Sequence, residues 1–482
     1  MTVQRGGRGP ADGDVRLGRE LAEIPILIVP GIMGTRLVQH HRARGDRGAH
    51  STLVFNPCGD SFGHPVDPPD AHARCADAGV LSQPTRRLAP DRGHWAHDDE
   101  DTRRRWLRAA GIYDDGFDPE TSEVDQFDPN QAFGTAYALI AYYLRLAEQL
   151  SGLDLSDLGH KPRVVCAGYD WRQSNAVSAQ TLSEAVERAK RACHAEQVVL
   201  VAHSMGGLVS RYYCRYLGGR NVRLLVLIGS PTLGAPDAYS CLKHSLDGTM
   251  RHLFGSFWSP ARARQIVRAC PSTYELLPNR LYSAARPNWC EFDDSLTGYP
   301  PRHPGPPHMI QRPDAFSDCT AERLYLDPYT GIADGAQVDG DADWGAAAVS
   351  RDQCAVYATT ARNFHEQLIE NDKAWLPPNT SVVYSEGHDT ILGGELGAVE
   401  PVSNPHGTWL LDDDMDPPGF EKTMGSEGDE TVPTASANPS SLWSRSPRST
   451  CRGNLVHKEL PQDDVVINHV KRAIRNVIGG SS

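Results

Sequence analysis

The segment that decides the fold reads Gln197-Val-Val-Leu-Val-Ala-His-Ser-Met-Gly-Gly207. Its first half predicts a fully buried strand, and a helical pattern begins directly after Ser204. A serine at such a junction can occupy a strained turn that exposes its hydroxyl, provided that the residues two before and two after it are small. Ala202 and Gly206 meet that condition. The sequence therefore predicts Ser204 as a nucleophile. The alternative is an ordinary turn in which Ser204 only caps the helix.

Similar strands and helices alternate on both sides of this segment. Buried strands are predicted at residues 24–29, 163–168, 197–202, 223–228 and 380–384, and helices at residues 131–150, 178–193, 205–217 and 463–478. Continuous apolar strands that alternate with helices are typical of a mostly parallel sheet covered by helices on both faces. The pattern therefore predicts an α/β fold.

Changes in composition divide the chain into stretches. Residues 1–23 begin with a Gly- and Arg-rich segment and predict a disordered tail. Residues 24–237 predict the first part of the core, with an irregular, lid-like insertion at 40–130. Residues 238–376 show no clear repeat and predict a cap, and residues 377–482 complete the sheet. We therefore expect one composite domain that carries a large cap insertion.

The overall composition excludes some functions. The 482 residues carry a formal net charge of −13, which argues against nucleic acid as a partner because phosphate binding needs a basic face. No apolar run predicts a Sec-type signal peptide or a membrane span, so we expect a cytoplasmic location, with export by another route left open. No metal-ligand spacing or phosphate-binding loop stands out, so neither a metal nor a cofactor is expected.

The 11 cysteines are scattered along the chain and do not predict a disulfide framework. Cys166, Cys193 and Cys214 fall in predicted strands or helices, where we expect them as small buried apolar residues. Cys58 and Cys75 lie in a loop-like region and could form a bridge.

Five motifs occur in a fixed order along the chain. They are Val29-Pro-Gly-Ile-Met-Gly34, Tyr169-Asp-Trp-Arg172, Ala202-His-Ser-Met-Gly-Gly207, Gly229-Ser-Pro-Thr-Leu-Gly-Ala-Pro236 and Gly428-Asp-Glu-Thr-Val432. Together they resemble the lecithin:cholesterol acyltransferase family of α/β-hydrolases, which includes the lysosomal phospholipases that double as acyltransferases. The resemblance implies an α/β-hydrolase fold with a large cap or lid insertion, and a serine-dependent reaction on lipid esters such as phospholipids or acylglycerols.

Two acids and two histidines compete to complete a triad with Ser204, which in this fold follows the chain order serine, acid, histidine. The strand pattern alone favours Asp389, because it closely follows a predicted strand, whereas the resemblance places the acid at Asp429. The resemblance also places the base at His457, just before the last helix. The rival His469 lies on the apolar face of that helix, where a histidine is more often a packed core residue.

The remaining site residues follow from the same motifs. An oxyanion needs backbone donors, and we expect one from Met205, which follows the nucleophile. The resemblance places the second donor at Ile32. Asp170 and Arg172 are expected to form an ion pair that supports the site rather than to take part in the reaction directly.

The predicted reaction is cleavage of a carboxylic ester through an acyl-serine. Water as the acceptor would make the protein a lipase, phospholipase or esterase, and an alcohol would make it an acyltransferase; the sequence leaves the acceptor open.

The expected partner is a lipid or other ester, with transient contact to a membrane or micelle surface. Aromatic residues in the insertions, including Trp95, Trp106 and the Leu253–Trp258 cluster, are candidates to roof an acyl pocket, although this cluster could equally pack the cap onto the sheet. The alternative function is a catalytically silent α/β-hydrolase fold that serves as a binding or scaffold protein. The oligomeric state is left open.

Overall fold

The fold is described from a computed structural model. It describes residues 21–35, 37–41, 50–55, 89–90, 112–113, 143–243, 266–286, 289–292, 351–396 and 421–480. The predicted tail up to residue 20, most of both predicted insertions, and the pair Cys58 and Cys75 lie outside these residues. Trp95, Trp106 and the Leu253–Trp258 cluster lie outside them as well. The proposed division into core and cap therefore stays a prediction.

The described residues contain fifteen strands and nine α-helices. The strands are β1 (Ala22–Val29), β2 (Leu37–His41), β3 (His50–Phe55), β4 (Ala89–Pro90), β5 (Ile112–Tyr113), β6 (His160–Cys166), β7 (Val198–His203), β8 (Val222–Ile228), β9 (Cys290–Phe292), β10 (Ile369–Glu370), β11 (Lys373–Ala374), β12 (Thr380–Ser385), β13 (Thr390–Leu396), β14 (Glu421–Gly425) and β15 (Ser449–Gly453). The helices are α1 (Leu144–Ser151), α2 (Asn175–Ala192), α3 (Met205–Tyr212), α4 (Pro236–Lys243), α5 (Pro271–Tyr274), α6 (Arg280–Ala285), α7 (Arg351–Gln367), α8 (Thr434–Ala437) and α9 (Asp464–Ile478).

Seven strands form one central sheet in the order β15-β12-β8-β7-β1-β6-β5. All of its neighbouring strands run parallel. Every residue of β7 is buried, as expected for a strand that is covered on both faces. Because β1 and β7 are neighbours, with Val29 opposite Ala202, the loop after β1 and the turn after β7 meet at the carboxyl edge of the sheet. Open parallel sheets usually bind their ligands at this edge.

The sheet separates two apolar cores. Successive residues of a strand point to opposite faces, so Leu27 and Val29 join one core while Ile26 and Ile28 join the other. Helices α2 to α7 contribute to the first core, and α1 and α9 contribute to the second. The predicted sheet with helices on both faces is therefore present.

Several predicted boundaries differ from the observed ones. Strand β1 begins at Ala22, and helix α3 ends at Tyr212, where the backbone continues as a π-helical turn over Tyr213–Gly218. The strand β15 was missed because its sequence, Ser-Thr-Cys-Arg-Gly, contains no apolar run. It lies at the edge of the central sheet, where β12 is its one neighbour among the described strands, so one of its sides is not covered by another strand of that sheet.

Small sheets and short 3₁₀ helices lie outside the central sheet. Strands β2, β3 and β4 form one sheet, β9, β13 and β14 form another, and β10 pairs with β11. A 3₁₀ helix covers His457–Gln462, and others cover Ser156–Leu158 and Gly219–Asn221. Among the helices of the described residues, none has both the length and the apolar character needed to cross a membrane. Cys166, Cys193 and Cys214 are buried, as predicted.

Candidate active site

Ser204 occupies the sharp turn between β7 and α3. Its backbone angles are φ 53° and ψ −130°, a conformation that side chains other than glycine rarely adopt. The turn requires a small residue at position 206, because a Cβ on Gly206 would lie 2.4 Å from the Pro30 carbonyl oxygen. The Ser204 side chain makes no capping hydrogen bond to α3. Ser204 thus occupies the N-cap position without capping the helix through its side chain, and its hydroxyl is available for another partner.

His457 is that partner. Its Nε2 lies 2.8 Å from Ser204 Oγ, and its Nδ1 lies 2.8 Å from Asp429 Oδ2. His457 begins a 3₁₀ helix that follows β15, so the sheet edge and the start of this helix carry it to Ser204 from the far end of the sequence. The structure thus brings together the three residues predicted as nucleophile, base and acid.

The Asp429 carboxylate is fixed by its own turn. Its Oδ1 accepts hydrogen bonds from the backbone N–H groups of Val432 at 2.7 Å and Thr431 at 3.2 Å. Its carbonyl oxygen accepts the His457 N–H at 2.7 Å. Asp429 is fully buried, whereas the adjacent Glu430 is exposed. Both oxygen atoms of the carboxylate are therefore held by hydrogen bonds, which fix its orientation beside the imidazole.

The two rival residues lie elsewhere. Asp389 is exposed in the turn between β12 and β13. His469 is buried on α9, where its Nε2 lies 2.7 Å from Ser381 Oγ, and burial lowers its pKa below the ordinary value. Its surroundings are those of the packed core residue that the sequence suggested.

The loop after β1 lies directly over the nucleophile. A Cβ on Gly31 would be only 2.7 Å from Ser204 Cβ, so this glycine permits a close approach. Ile32 and Met205 flank Ser204 from the loop and from the start of α3. Among the backbone hydrogen bonds of the described turns and loops, none is donated by the amide N–H of Ile32 or of Met205. Their role as oxyanion donors stays a prediction.

The motif at residues 169–172 supports this loop through residues that sequence reasoning did not single out. The Tyr169 hydroxyl donates to the Pro30 carbonyl oxygen at 2.7 Å, and Trp171 Nε1 donates to the Thr35 carbonyl oxygen at 3.2 Å. Asp170 and Arg172 form a bidentate ion pair at 2.9 and 2.7 Å, with the guanidinium fully buried. The sequence did contain a signal for Tyr169 and Trp171, because they follow closely after β6, the strand beside β1.

A cavity of about 130 Å³ opens on Ser204. Its surface is mostly apolar and comes from the loop after β1, from α4 and from residues 266–276. The described residues that line it are Gly31, Ile32, Met33, Gly34, Tyr143, Trp171, His203, Ser204, Pro231, Ala235, Asp237, Ala238, Cys241, Ile266, Val267, Cys270, Thr273, Leu276, Glu430, Thr431, Val432, His457 and Lys458. A polar end at Ser204 and His457 with an apolar body suits a ligand that has one reactive group on a hydrocarbon chain. Among the described residues, no cluster of His, Cys, Asp or Glu could hold a metal ion.

The sheet order, together with a serine at the strand–helix junction and a histidine beside it, defines an α/β-hydrolase, so the predicted fold is confirmed. A model of the lecithin:cholesterol acyltransferase family matches residues 113–476, and the chain belongs to this family. The resemblance stated from the motifs is thereby confirmed as well.

One curated protein and one solved structure are similar to this chain. The phospholipase A(1) LCAT3 of Arabidopsis thaliana is 30% identical over 125 residues, which are 23% of this chain and 26% of that protein. The match thus spans about a quarter of that relative's length. A chain of the crystal structure of the Tle4–Tli4 complex matches with a TM-score of 0.58 and 18% identity, covering 96% of this chain and 100% of the other. At that identity the similarity concerns the fold alone.

Proposed function

We propose that this protein cleaves lipid esters through an acyl-enzyme on Ser204 and transfers the acyl group to water or to an alcohol. The observation that carries the proposal is the hydrogen-bonded series from Ser204 to His457 to Asp429 at the polar end of an apolar cavity. Membership of the lecithin:cholesterol acyltransferase family and the similarity to a phospholipase A(1) support a lipid ester as the substrate class.

In the first half-reaction, the Ser204 oxygen bonds to the ester carbonyl carbon while His457 Nε2 accepts the hydroxyl proton. The carbonyl electron pair moves onto its oxygen, and the amides of Ile32 and Met205 would donate to this oxyanion. Asp429 holds His457 Nδ1–H and stabilises the imidazolium that forms. Collapse of the intermediate breaks the bond to the leaving alkoxide, which takes the proton from His457 and departs as an alcohol.

In the second half-reaction, the acceptor loses a proton to His457 and attacks the acyl-serine. The tetrahedral intermediate then collapses, Ser204 regains its proton from His457, and the product is a fatty acid or a new ester. Which acceptor prevails depends on how well the cavity excludes water. Because lipid esters reside in membranes and micelles, the proposal includes transient contact with a lipid surface.

The test is labelling with a fluorophosphonate probe, together with fatty-acid release from a panel of phospholipids and acylglycerols, with and without a long-chain alcohol. We expect the parent to be labelled and active, and Ser204→Ala to lose labelling and at least about 10³-fold in turnover. The matched control is Ser210→Ala, because Ser210 is a buried serine of the same helix whose hydroxyl has no hydrogen-bond partner among the described residues.

Three results would overturn the proposal. Labelling of the Ser204→Ala variant would place the nucleophile elsewhere. Loss of labelling in Ser210→Ala to the same degree would trace the effect to folding. A folded parent that neither reacts with the probe nor releases any acid would support the catalytically silent binding protein instead.

A further inference from the structure

A series of buried hydrogen bonds runs beside the nucleophile and takes no part in the reaction steps above. The Gly31 N–H donates to the Tyr143 hydroxyl oxygen at 2.9 Å, and that oxygen lies 2.8 Å from His203 Nδ1. At the other end, His203 Nε2 lies 3.0 Å from the His457 carbonyl oxygen. Tyr143 and His203 are both buried, and the His203 ring packs against the His457 ring with centroids 4.8 Å apart.

The two ends of the series fix the direction of its two outer bonds. A backbone N–H can only donate, and a carbonyl oxygen can only accept. His203 Nε2 must therefore carry a proton and donate to the His457 carbonyl oxygen, and in a neutral ring Nδ1 is then the acceptor for the Tyr143 hydroxyl. Only neutral His203 permits this arrangement, because a doubly protonated ring donates from both nitrogens. Burial and the nearby His457 lower the pKa of His203 well below its ordinary value, so the neutral ring is the stable form.

The series joins the two halves of the candidate site. At one end, Gly31 precedes Ile32 and packs against Ser204 so closely that a Cβ would lie 2.7 Å from Ser204 Cβ. At the other end, the His457 backbone is held on both sides, since its N–H donates to the Asp429 carbonyl oxygen at 2.7 Å. A shift of either end would thus be transmitted through His203, which is the residue directly before the nucleophile.

We propose that Tyr143 and His203 are positioning residues that hold the Gly31–Ile32 loop and the His457 backbone in the geometry required by the tetrahedral intermediate. This inference rests on the proposed function, because it assigns a role relative to chemistry at Ser204. An oxyanion exists only after attack, so a misplaced donor weakens binding of the transition state and leaves substrate binding nearly unchanged. Loss of the series should therefore lower kcat with little change in KM.

The experiment compares Tyr143→Phe with Tyr282→Phe, using a short, soluble nitrophenyl ester. Tyr282 is a matched control, because it is also buried and its hydroxyl donates to the Leu392 carbonyl oxygen at 3.1 Å, away from the nucleophile. For Tyr143→Phe we expect kcat to fall about 10- to 100-fold with KM within about threefold of the parent. The inhibition constant of an alkyl trifluoromethyl ketone, which forms a tetrahedral adduct with a nucleophilic serine, should weaken by the same factor. Tyr282→Phe should stay within about threefold of the parent in all three quantities.

A second pair of variants tests the polarity of the series. The amide of His203→Gln can accept through its oxygen and donate through its nitrogen, as the neutral imidazole does, whereas His203→Leu can do neither. We expect the glutamine variant to retain more kcat than the leucine variant.

The inference is overturned if Tyr143→Phe keeps the parent kcat, if Tyr282→Phe loses as much, or if the glutamine and leucine variants are equally impaired. In each case an inactive Ser204→Ala variant would leave the proposed function standing. An active Ser204→Ala variant would instead remove the proposed function, and the inference with it.

Discussion

Asp429 and Asp389 have opposite environments. Asp429 is fully buried against His457, and Asp389 is exposed. We expect Asp429→Asn to lower kcat by about 10³- to 10⁴-fold, as in the serine-protease case in which the triad acid becomes an amide. An amide NH₂ facing Nδ1 favours the tautomer with its proton on Nε2, and that nitrogen can then no longer accept from Ser204. Asp389→Asn should stay within about twofold of the parent, as expected for a surface change.

Turnover of a nitrophenyl ester and the rate of fluorophosphonate labelling measure both variants. The histidine pair provides an internal control, since His457→Ala should lose activity and His469→Ala should mainly lose stability through its bond to Ser381. An inactive Asp389→Asn beside an active Asp429→Asn would contradict the assignment.

The candidate acid Asp429 shows why reasoning from local sequence alone is limited at single residues. Ser204 can be predicted from local pattern alone, because a buried strand, small neighbours and a helix start all lie within a few positions of it. Counting from the end of β12 leads instead to Asp389. In the structure the chain leaves after β12, forms β13 and β14, and returns, so that His388 pairs with Asp429 in an isolated bridge. The candidate acid Asp429 therefore lies beside the expected strand end in space, although β13 and β14 separate the two in sequence.

At the scale of single elements, helix α2 begins against a buried carboxylate. Glu275, which follows α5, accepts the Asn175 N–H at 2.6 Å and the Ser174 hydroxyl at 2.7 Å. The dipole of a helix stabilises a negative charge near its N-terminus. Burial nevertheless outweighs these bonds and raises the pKa of Glu275 from 4.5 to about 7. Between pH 4.5 and 7 the folded protein therefore retains a proton here that the unfolded chain has lost.

This raised pKa predicts a pH dependence of stability. The folded state binds more protons than the unfolded state between pH 4.5 and 7, so the free energy of unfolding falls as pH rises through this window. A shift of this size corresponds to roughly 3 kcal/mol. Glu275→Gln cannot ionise at this position, so between pH 5 and pH 8 its unfolding free energy should fall by roughly 2–3 kcal/mol less than that of the parent.

Urea unfolding at intervals from pH 5 to pH 8 measures the effect. Glu366→Gln is the matched control, because Glu366 is exposed in a surface pair with Arg280. Burial lowers the pKa of His365 to about 4, so its titration makes the free energy of unfolding rise with pH. This contribution is the same in the parent and in both variants, so it does not affect their comparison. Parallel pH curves for the parent and Glu275→Gln would show that this carboxyl is not protonated in the fold.

Helices and strands could be predicted from sequence where the spacing of their own apolar residues indicates them. The final helix was placed within one residue, because α9 presents a continuous apolar face and the Asp463 side chain caps it by accepting the Val465 N–H at 2.7 Å. Helix α7 and the sheet of β9, β13 and β14 were missed. Strand β13 pairs with β14 on one side and with β9 on the other, and these two strands come from distant parts of the sequence. Their pairing depends on tertiary structure, so it cannot be predicted from a short stretch of sequence.

At the scale of the whole molecule, the sheet places the candidate site and the C-terminal helix on different sides. The cavity is lined by the same core that holds α4 and residues 266–276, whereas α9 packs with α1 on the opposite face. Part of the apolar space next to Ser204 is therefore formed by α4 and residues 266–276, which follow β8 and contribute no strand to the central sheet. A change in α4 can thus alter the cavity while the order of the sheet stays the same.

Ala238 provides the test of what this cavity holds, because it is nearly buried on α4 and lines the cavity. Ala238→Leu adds apolar bulk to the cavity. If the acyl chain lies there, excluding about two methylenes at about 0.8 kcal/mol each should lower kcat/KM about tenfold for long-chain nitrophenyl esters, with the short esters little affected.

The matched control is Ala473→Leu on α9, which packs against the core on the other side of the sheet. This variant should change kcat/KM by the same factor for esters of every chain length. Both variants need an unchanged Tm for the comparison. An equal loss at every chain length in Ala238→Leu would show that the acyl chain binds outside this cavity, even with Ser204 as the nucleophile.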